Sequence, residues 1–576
     1  MTNNHIADVF DQMADLLEFQ NANPFRVRAY RNAARVIRDF PERLVDLIHD
    51  PRRKLTDIEG IGNDLAEKIQ TLVKTGSIPQ LQQLLQEIPE TVLALLRIPG
   101  LGPKKAAVLH RELGIQNLEQ LQVACQEGRV RELKGFGAKT EQTILKGIAL
   151  ATTATQRVYW ATADQVVQQL RKHFAHCPGI RQWEVAGSYR RGKETVGDLD
   201  LLVVADSTAV VMDHFEKYSD RVDTLARGDT KMSIRLDTGL QVDMRVVPTE
   251  SFGAALQYFT GSQAHNVQLR GMARQRGMKI NEYGLFRIDG DRETYLAGAH
   301  EADVYAALDL PCFPPELREA RHEFEWAEQK KLPVLIEPSD IRGDLHMHTT
   351  ASDGQATLAE MVAAARRRGL HYIAITDHSQ RVTMANGLTP ERLLSQWQEI
   401  DEFNEQLADH FIVLKGVECD ILEKGGMDIP DEVLAQADWV LGAVHYGQNQ
   451  SRAQITARIL GAIENPHVDA IAHPTGRLIN RREAYEVDLD EIYTAAAQHG
   501  KFLELNAHPA RLDLNDIACA AAKAYGIRIV ISTDAHQTEG LDCLRYGLLQ
   551  ARRAGLTKHD VINTLTWKQL KKHLQS

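Results

Sequence analysis

The chain has 576 residues, which suggests three or four domains at ~150 residues each. Hydrophobic residues make up 43% and charged residues 25%, so the composition excludes collagen, coiled coils and largely disordered proteins. No stretch approaches the ~18 apolar residues of a membrane helix. Acidic residues near the start exclude a signal peptide, and the six cysteines form no CxxC pair. We therefore expect a cytoplasmic protein without membrane contact, and a monomer.

Charge and histidine are unevenly distributed along the chain. The net charge is −11, of which residues 341–576 carry −7 together with 13 of the 22 histidines. Carboxylates and imidazoles in one segment indicate ligation of hard to borderline metal ions there. Residues 1–150 carry a net charge of +1. Any nucleic-acid binding must therefore come from local basic clusters and backbone amides.

Residues 1–150 predict an all-helical domain, because apolar residues recur at helical spacing. An apolar residue between two glycines occurs three times, each time before a helical stretch. Such glycines permit a tight turn, and the amides of the following helix can then bind an anion. The pattern resembles the helix-hairpin-helix element, which binds DNA phosphates, although simple capping turns are the alternative. The candidate DNA-binding residues are Gly60, Gly62, Gly100, Gly102, Gly135 and Gly137, with Lys104, Lys105 and Lys139 beside them.

The middle region carries paired carboxylates on a predicted strand. Asp198 and Asp200 lie two positions apart and therefore share one strand face. A second strand, 240–247, presents Asp243 as a third carboxylate. Carboxylates on one face repel each other unless a cation lies between them, which predicts a metal site. An isolated pair of aspartates would equally fit a solvated strand edge.

Residues 1–318, including the sequence around these aspartates, resemble the family-X DNA polymerases, the family of DNA polymerase beta. The resemblance includes NPFRVRAYRNAA (23–34), VAGSYRRGKETVGDLDLLVV (185–204) and QYFTGSQAHNVQLR (257–270). It implies gapped or primer-template DNA and deoxynucleoside triphosphates as substrates, with two Mg²⁺ or Mn²⁺ ions held by the aspartates. The implied nucleotide-binding residues are Gly187, Ser188, Arg191, Arg157, Tyr258, Phe259, Gly261 and Asn266.

The same resemblance places Arg270 against the template and Lys68 at the position of the lyase lysine. Asp64 stands where the family has a companion lysine, which puts the lyase role in question. Gln241 replaces an arginine that the vertebrate members have beside the third carboxylate. Gln263 replaces an acidic residue near the base. Neither departure alters the three catalytic aspartates.

The last 236 residues repeat one pattern seven times: an apolar strand, polar residues at its end, then a helical stretch. Alternating strands and helices predict a parallel sheet, and seven such units predict a barrel. The carboxyl ends of barrel strands meet on one face, so ligands far apart in sequence are expected to converge there. A single His-x-His pair would be weak support, whereas the joint pattern favours a metal centre.

Residues 341–576 resemble the polymerase and histidinol phosphatase (PHP) domain, which implies up to three Mn²⁺, Zn²⁺ or iron ions and hydrolysis of phosphoesters. Asp377, next to His378, is expected to orient a metal ligand. Arg477, Arg481 and Arg482 are expected either to hold substrate phosphates or to form a solvated loop. The implied metal ligands are His346, His348, Asp353, His378, Glu418, His445, His473, Asp534 and His536.

The expected architecture is multidomain. It comprises an all-α helix-hairpin-helix region (1–150), an α+β nucleotidyltransferase palm with thumb (151–318), a linker (319–340) and a (β/α)7 TIM-like PHP barrel (341–576). We expect a gap-filling DNA polymerase coupled to a 3′–5′ exonuclease or 3′-phosphodiesterase in base-excision repair, with abasic-site cleavage as a further option. In one alternative the PHP domain hydrolyses a small phosphate such as histidinol phosphate or pyrophosphate. In another the chain is a non-catalytic DNA-binding scaffold.

Overall fold

A computed structural model describes residues 3–574 except positions 21, 40–43, 50–52, 59, 89–94, 96–97, 99–100, 102, 154–156, 408–410 and 481. Of the predicted site residues, Gly100, Gly102 and Arg481 lie outside the described residues, as do the side chains of Lys104 and Lys139. The chain divides into two compact units, residues 1–156 and 157–576. Within the described ranges, no helix has the length and apolarity needed to span a membrane.

The first unit is entirely helical in its described part, as the sequence predicts. Its first two helices pack through Phe10 and Tyr30, whose ring centroids lie 5.7 Å apart. Both side chains belong to one core that extends over the whole unit. The helices are Asn3–Phe19, Pro24–Asp39, Leu44–His49, Asn63–Thr75, Pro79–Glu87, Pro103–Leu113, Leu118–Gln126 and Ala138–Thr153.

The three glycine-flanked turns share one backbone hydrogen bond. The central apolar residue of each is buried, and its N–H donates to the carbonyl three residues earlier, at 2.9–3.0 Å. Gly60 and Gly135 adopt φ values of 94° and 87°, which residues with a side chain rarely adopt. The repeated pattern in the sequence therefore corresponds to a repeated turn. The three donor–acceptor pairs are Ile61–Ile58, Leu101–Ile98 and Phe136–Leu133.

The palm is a five-stranded sheet whose strands lie in the order β2 (Ile180–Val185), β4 (Asp198–Ala205), β7 (Gln241–Val246), β6 (Lys231–Leu236) and β5 (Arg221–Arg227). Helices Trp160–Phe174 and Thr208–Glu216 cover one face, and helix Phe252–Thr260 packs on the other. Strands β4 and β7 are parallel neighbours, and Asp200 lies opposite Asp243 in their register. Beside the sheet lies a two-stranded ribbon, β1 (Val158–Tyr159) and β3 (Thr195–Val196).

The thumb combines two helices, Gln263–Gln275 and Glu301–Ala306, with a three-stranded antiparallel sheet. Its core contains Leu269, Tyr305 and Phe313, all fully buried. The strands are β8 (Met278–Asn281), β9 (Gly284–Asp289) and β10 (Arg292–Ala297).

The C-terminal part is a seven-stranded parallel sheet whose spatial order follows the chain order. An isolated parallel bridge between Met347 and Ala535 joins the first strand's extension to the last, so the sheet is a nearly closed barrel. The predicted TIM-like fold is thereby confirmed. The strands are β11 (Gly343–Asp344), β12 (Tyr372–Ile375), β13 (Ile412–Asp420), β14 (Trp439–Ala443), β15 (Ala470–Ile471), β16 (Phe502–Asn506) and β17 (Ile529–Ser532). The helices are Leu358–Arg367, Pro390–Gln406, Asp431–Leu434, Arg452–Glu464, Leu489–His499, Asp516–Ala524, Leu544–Arg553 and Trp567–Leu574.

Two predicted ligands, His473 and Asp534, lie just after strand ends in a left-handed backbone conformation. Strand β17 ends at Ser532, so Asp534 and His536 lie beyond it rather than on one strand face. Asp534 has a φ of 54° and His473 a φ of 29°, a region that costs free energy for residues other than glycine. Backbone turns at the strand ends, and not alternation, direct these two side chains into the barrel mouth.

The segment 319–340, predicted as a linker, is packed rather than extended through solvent. It contains the helix Glu323–Glu328, and both Glu319 and Ile336 are buried. Arg553 of the barrel lies 2.9 Å from both Glu319 and Asp516. Three buried charges therefore join this segment to the barrel.

We expect Arg553→Ala to lower the free energy of unfolding of the second unit by about 3 kcal/mol, because it leaves two buried carboxylates without this partner. All six tryptophans lie within residues 157–576, so tryptophan fluorescence during urea denaturation reports on this unit. The matched control is Arg181→Ala. Arg181 forms an exposed ion pair with Asp206, and its loss should cost less than ~1 kcal/mol. Equal losses in the two variants would contradict the importance of the buried cluster.

Candidate active sites

The carboxyl end of the barrel brings together side chains from all parts of the last 236 residues. At its centre is Glu418 of β13, whose side chain is 1% exposed. Five imidazoles surround this one carboxylate. The distances to its oxygens are 2.8 Å from His378 Nδ1, 2.9 Å from His473 Nε2, 3.2 Å from His445 Nε2, 3.4 Å from His346 Nε2 and 3.6 Å from His348 Nε2.

The hydrogen bonding of this cluster is incomplete, which is the behaviour of metal ligands. Glu418 Oε2, His346 Nε2 and His348 Nδ1 are buried with no hydrogen-bond partner among the described residues. His378 Nδ1 approaches Glu418 Oε2 at 2.8 Å but lacks hydrogen-bond geometry. Several buried, unpaired donors and acceptors in one place are costly unless an ion satisfies them. The nitrogen and oxygen ligands, without thiolate, fit Mn²⁺, Zn²⁺ or iron.

The described part of the barrel contains three groups of potential metal ligands. Within each group, the ligand atoms lie within 4.8 Å of one another. Eight of the nine predicted ligands belong to these groups. The ninth, His473, contacts Glu418 directly. The groups are His348, Asp353, His378 and His536; His346, His348 and Asp534; and His378, Glu418 and His445.

Two carboxylates that the sequence reasoning missed orient these ligands. Glu504 accepts from His346 Nδ1 at 2.7 Å and from the backbone N–H of His473 at 2.6 Å. Asp420 lies 3.1 Å from His445 Nδ1. Such contacts fix the ring orientation of a ligating imidazole. Both carboxylates could have been noticed in the sequence, because each is a charged residue inside an apolar strand. Each also lies two positions from another polar residue at the strand end, so the two side chains share one strand face.

Asp377 accepts hydrogen bonds from the loop that leads to the predicted ligand Asp353. It accepts hydrogen bonds from the backbone N–H and hydroxyl of Thr349, at 2.8 and 2.6 Å, and from Gln396 at 2.5 Å. It also accepts from Ser352. The segment 349–352 leads directly into Asp353. Asp377 therefore positions the loop that carries a predicted ligand.

Arg477 and Arg482, two of the three arginines predicted to hold substrate phosphates, have other partners. Arg477 is buried against Glu194, at 2.7 Å, and also donates to the carbonyl of Leu512. Arg482 donates to the carbonyl of Gly476 at 2.7 Å. The arginine that lines the metal-site cavity is Arg511, whose Nε lies 3.5 Å from Asp534 Oδ2. Arg511 had no distinguishing signal in the sequence.

The palm places its three aspartates within the first three residues of the adjacent strands β4 and β7. Burial and then the carboxylates of Asp198 and Asp243 raise the pKa of Asp200 to about 6, which is the mark of like charges held together. Asp243 is drawn aside, with Gln241 Nε2 at 2.8 Å and Lys231 Nζ at 3.2 Å. Within the described residues, the trio is not among the clusters whose ligand atoms lie within 4.8 Å. The three carboxylates are thus close enough to repel one another, which a divalent cation between them would relieve.

The loop before β4 passes directly beside Asp200. Gly187 has a φ of 67°, and a Cβ there would lie 2.8 Å from Asp200 Oδ2, so only glycine fits. Ser188 follows it in the short helix Gly187–Arg190. Arg157 donates to Thr195, at 2.9 and 2.7 Å. Arg191 lies 3.0 Å from Glu319 and also donates to the carbonyl of Thr260.

The predicted nucleotide-binding segment of the thumb is held by its own contacts. Asn266 donates to the carbonyl of Tyr258 at 2.6 Å. A Cβ on Gly261 would lie 2.3 Å from Asn266 Oδ1, so this close approach requires glycine. Phe259 contacts the ring of Tyr258, and the exposed Arg270 donates to the carbonyl of Asn266 at 3.1 Å. These five predicted residues are therefore linked to one another by direct contacts.

In the first unit, Lys68 lies on helix Asn63–Thr75, which begins directly after Gly62. Its ammonium forms an ion pair with Asp64, one helical turn away. Lys105 lies over the ring of Phe136, 5.7 Å from its centroid, which places a cation beside the third glycine turn.

Sequence models of five domain families match the chain in succession. They are a helix-hairpin-helix domain (1–78), a SAM-like helix-hairpin-helix tandem (92–149), the DNA polymerase beta palm (159–246), the DNA polymerase beta thumb (255–319) and the PHP domain (344–508). The chain is also 38% identical over 573 residues to "DNA polymerase/3′-5′ exonuclease PolX" of Bacillus subtilis (strain 168), covering 99% of each chain. The chain belongs to the bacterial family-X DNA polymerases with a C-terminal PHP domain.

Other relatives of this family-X polymerase match only part of its chain. A probable phosphatase of Thermoanaerobacter sp. (strain X514) is 29% identical over 232 residues, which are 38% of this chain and 89% of that protein. A probable phosphatase of Acetivibrio thermocellus is 32% identical over 203 residues, covering 34% of this chain and 78% of that protein.

Replacing Glu504 by glutamine should weaken Mn²⁺ binding to the barrel by about 10–100-fold, because His346 and His473 lose the carboxylate that orients them. The measurement is a calorimetric Mn²⁺ titration of the full-length protein. The matched control is Glu323→Gln, which removes another buried glutamate from an imidazole, His265, in the thumb. That variant should keep the wild-type affinity of the barrel. An unchanged affinity in Glu504→Gln would show that the carboxylate does not support the ligands.

Proposed function

We propose that the chain is a template-directed, gap-filling DNA polymerase whose barrel removes nucleotides from DNA 3′ ends, and that both activities serve base-excision repair. The observation that carries the proposal is the presence of two separate ligand clusters in one chain. One is the group of three aspartates on the adjacent strands β4 and β7, and the other is the group of imidazoles around Glu418. The Bacillus subtilis relative, which matches over 99% of both chains, is named for both activities.

In the proposed polymerase site, Asp198, Asp200 and Asp243 hold two Mg²⁺ or Mn²⁺ ions. When bound, such ions acidify the primer hydroxyl and neutralise charge on the triphosphate. The chain supplies the remaining contacts to the nucleotide and template. Gly187, Ser188, Arg157 and Arg191 would hold the triphosphate, Tyr258, Phe259 and Gly261 would face the sugar, and Asn266 and Arg270 would contact the nucleotide or template.

In the proposed nuclease site, the nine barrel ligands hold up to three Mn²⁺, Zn²⁺ or iron ions. When bound, such ions activate water for attack on a phosphoester. Glu504 and Asp420 keep the imidazoles oriented, and Arg511 offers a positive charge to the phosphate beside Asp534. This arrangement suits cleavage at 3′ ends and at abasic sites alike.

The helical unit would bind the DNA backbone through the amides of its three turns. The proposed contacts are Gly60, Gly62, Gly100, Gly102, Gly135 and Gly137, with Lys104 and Lys105. Lys68 is the proposed lyase nucleophile, although an ammonium paired with Asp64 has to lose a proton before it can attack an abasic sugar.

In one alternative, the barrel hydrolyses small phosphate compounds instead of DNA ends. The similarity of part of the chain to two probable phosphatases favours this alternative. Assays of histidinol phosphate, pyrophosphate and single-stranded DNA with the same protein in Mn²⁺ discriminate the two functions. We expect turnover of the DNA and none of the small phosphates. A purely DNA-binding scaffold would show turnover in neither assay.

The two sites should be separable by single substitutions. Asp243→Ala should reduce nucleotide addition to a one-nucleotide gap by at least ~100-fold, because the polymerase site loses a metal ligand. The same variant should retain 3′-end cleavage. His346→Ala should do the reverse.

Both activities are measured on the same preparation of each variant, gap filling in Mg²⁺ with nucleotides and cleavage in Mn²⁺ without them. Each variant is therefore the folding control for the other. A folded variant that has lost both activities would count against two independent sites.

A further inference from the structure

One wall of the cavity above the predicted metal ligands consists of residues that have no charged group to bind a phosphate. The cavity has a volume of about 480 Å³, a size that holds a nucleotide-sized ligand. Most of its lining consists of the predicted ligands and Arg511. The other lining residues are Val382, Met384, Ala385 and Tyr446.

Met384 is the most exposed of these residues. It lies on the short helical turn Thr383–Ala385, between β12 and helix Pro390–Gln406, and is 93% exposed. Val382 and Ala385, on either side of it, are buried. The turn therefore anchors itself with its neighbours and presents the thioether at the cavity mouth.

Tyr446 follows the predicted ligand His445 directly and is half-buried. The guanidinium of Arg381 lies over its ring, 5.1 Å from the centroid. Arg381 is itself fixed, because its side chain pairs with Glu423 at 2.5 Å and its backbone N–H donates to Asp428. A cation over one face of an aromatic ring holds the ring in place.

This wall is suited to a flat, polarisable group rather than to a phosphate. Aromatic rings and thioethers stack against nucleobases, and such stacking tolerates every base because each has a π face. A small aliphatic phosphate would occupy the ligands and Arg511 but leave the wall uncovered. A nucleotide has both a phosphate for the ligands and a base for the wall.

We propose that Tyr446 and Met384 form a stacking platform for the base of the terminal nucleotide at a DNA 3′ end. The inference rests on the proposed exonuclease function and names its substrate class as nucleotide-bearing ends of any base. The platform is a specificity element, since it distinguishes a nucleotide from a small phosphate and does not take part in bond cleavage.

The test compares two single-stranded oligonucleotides of the same sequence, one ending in thymidine and the other in a tetrahydrofuran residue without a base. The quantity measured is kcat/KM for release of the terminal residue by the full-length protein in Mn²⁺. We expect the wild type to prefer the base-bearing end by about tenfold, the order that one stacked base contributes. Tyr446→Leu should bring this ratio close to one, whereas Tyr446→Phe, which keeps the ring, should retain it.

Two further variants complete the test. Met384→Ala should lower the ratio without a folding defect, because the side chain is almost fully exposed. Tyr525→Leu, at a tyrosine outside the cavity lining, should keep the wild-type ratio. A Tyr446→Leu variant that retains the ratio, or that loses activity equally on both ends, overturns the platform alone. A wild type that releases neither residue but hydrolyses p-nitrophenyl phosphate overturns the exonuclease function, and the platform with it.

Discussion

The C-terminal half of this polymerase is organised around a single buried carboxylate. Glu418 is almost completely removed from solvent, and five imidazoles from four strand ends approach it within 3.6 Å. Burial opposes its ionisation, yet the imidazoles of His445 and His378 hold the pKa of Glu418 well below its usual range. A charge in this position is stable only when opposite charge and ligand geometry accompany it. The barrel closure, the turns at His473 and Asp534, and the supporting carboxylates all serve this arrangement.

Much of this architecture could be predicted from local patterns. Seven repeats of a strand followed by a helix predict a parallel barrel, because each repeat adds one strand to the sheet and one helix to cover it. The placement of Asp198 and Asp200 on one face follows from strand alternation alone. The three glycine turns are likewise predictable, since the apolar residue between the glycines is the one that the core buries.

What the sequence did not indicate are contacts between segments far apart in the chain. The pairing of Arg477 with Glu194 spans 283 residues, so no local pattern distinguishes it from a solvated arginine. Glu504 supports His346 across 158 residues. The left-handed backbone of Asp534 is likewise imposed by its surroundings rather than by its own preference.

The palm and barrel also share more than a connection in the chain. The carbonyl of Arg191, in the loop predicted to bind the triphosphate, accepts from Arg553 of the barrel at 2.8 Å. The adjacent carbonyl of Gly192 accepts from Gln550 at 2.9 Å. The barrel helix Leu544–Arg553 therefore contacts the backbone of the loop predicted to bind nucleotide, and the predicted linker is part of the same packed interface.

The most direct measurement of the central claim is anomalous X-ray scattering from crystals of the full-length protein grown with Mn²⁺. If the cluster around Glu418 binds metal, we predict anomalous peaks inside the barrel mouth. These peaks should lie within about 2.3 Å of oxygens of Glu418 and of the imidazole nitrogens around it. Crystals that hold manganese elsewhere but show no peak beside Glu418 would contradict it.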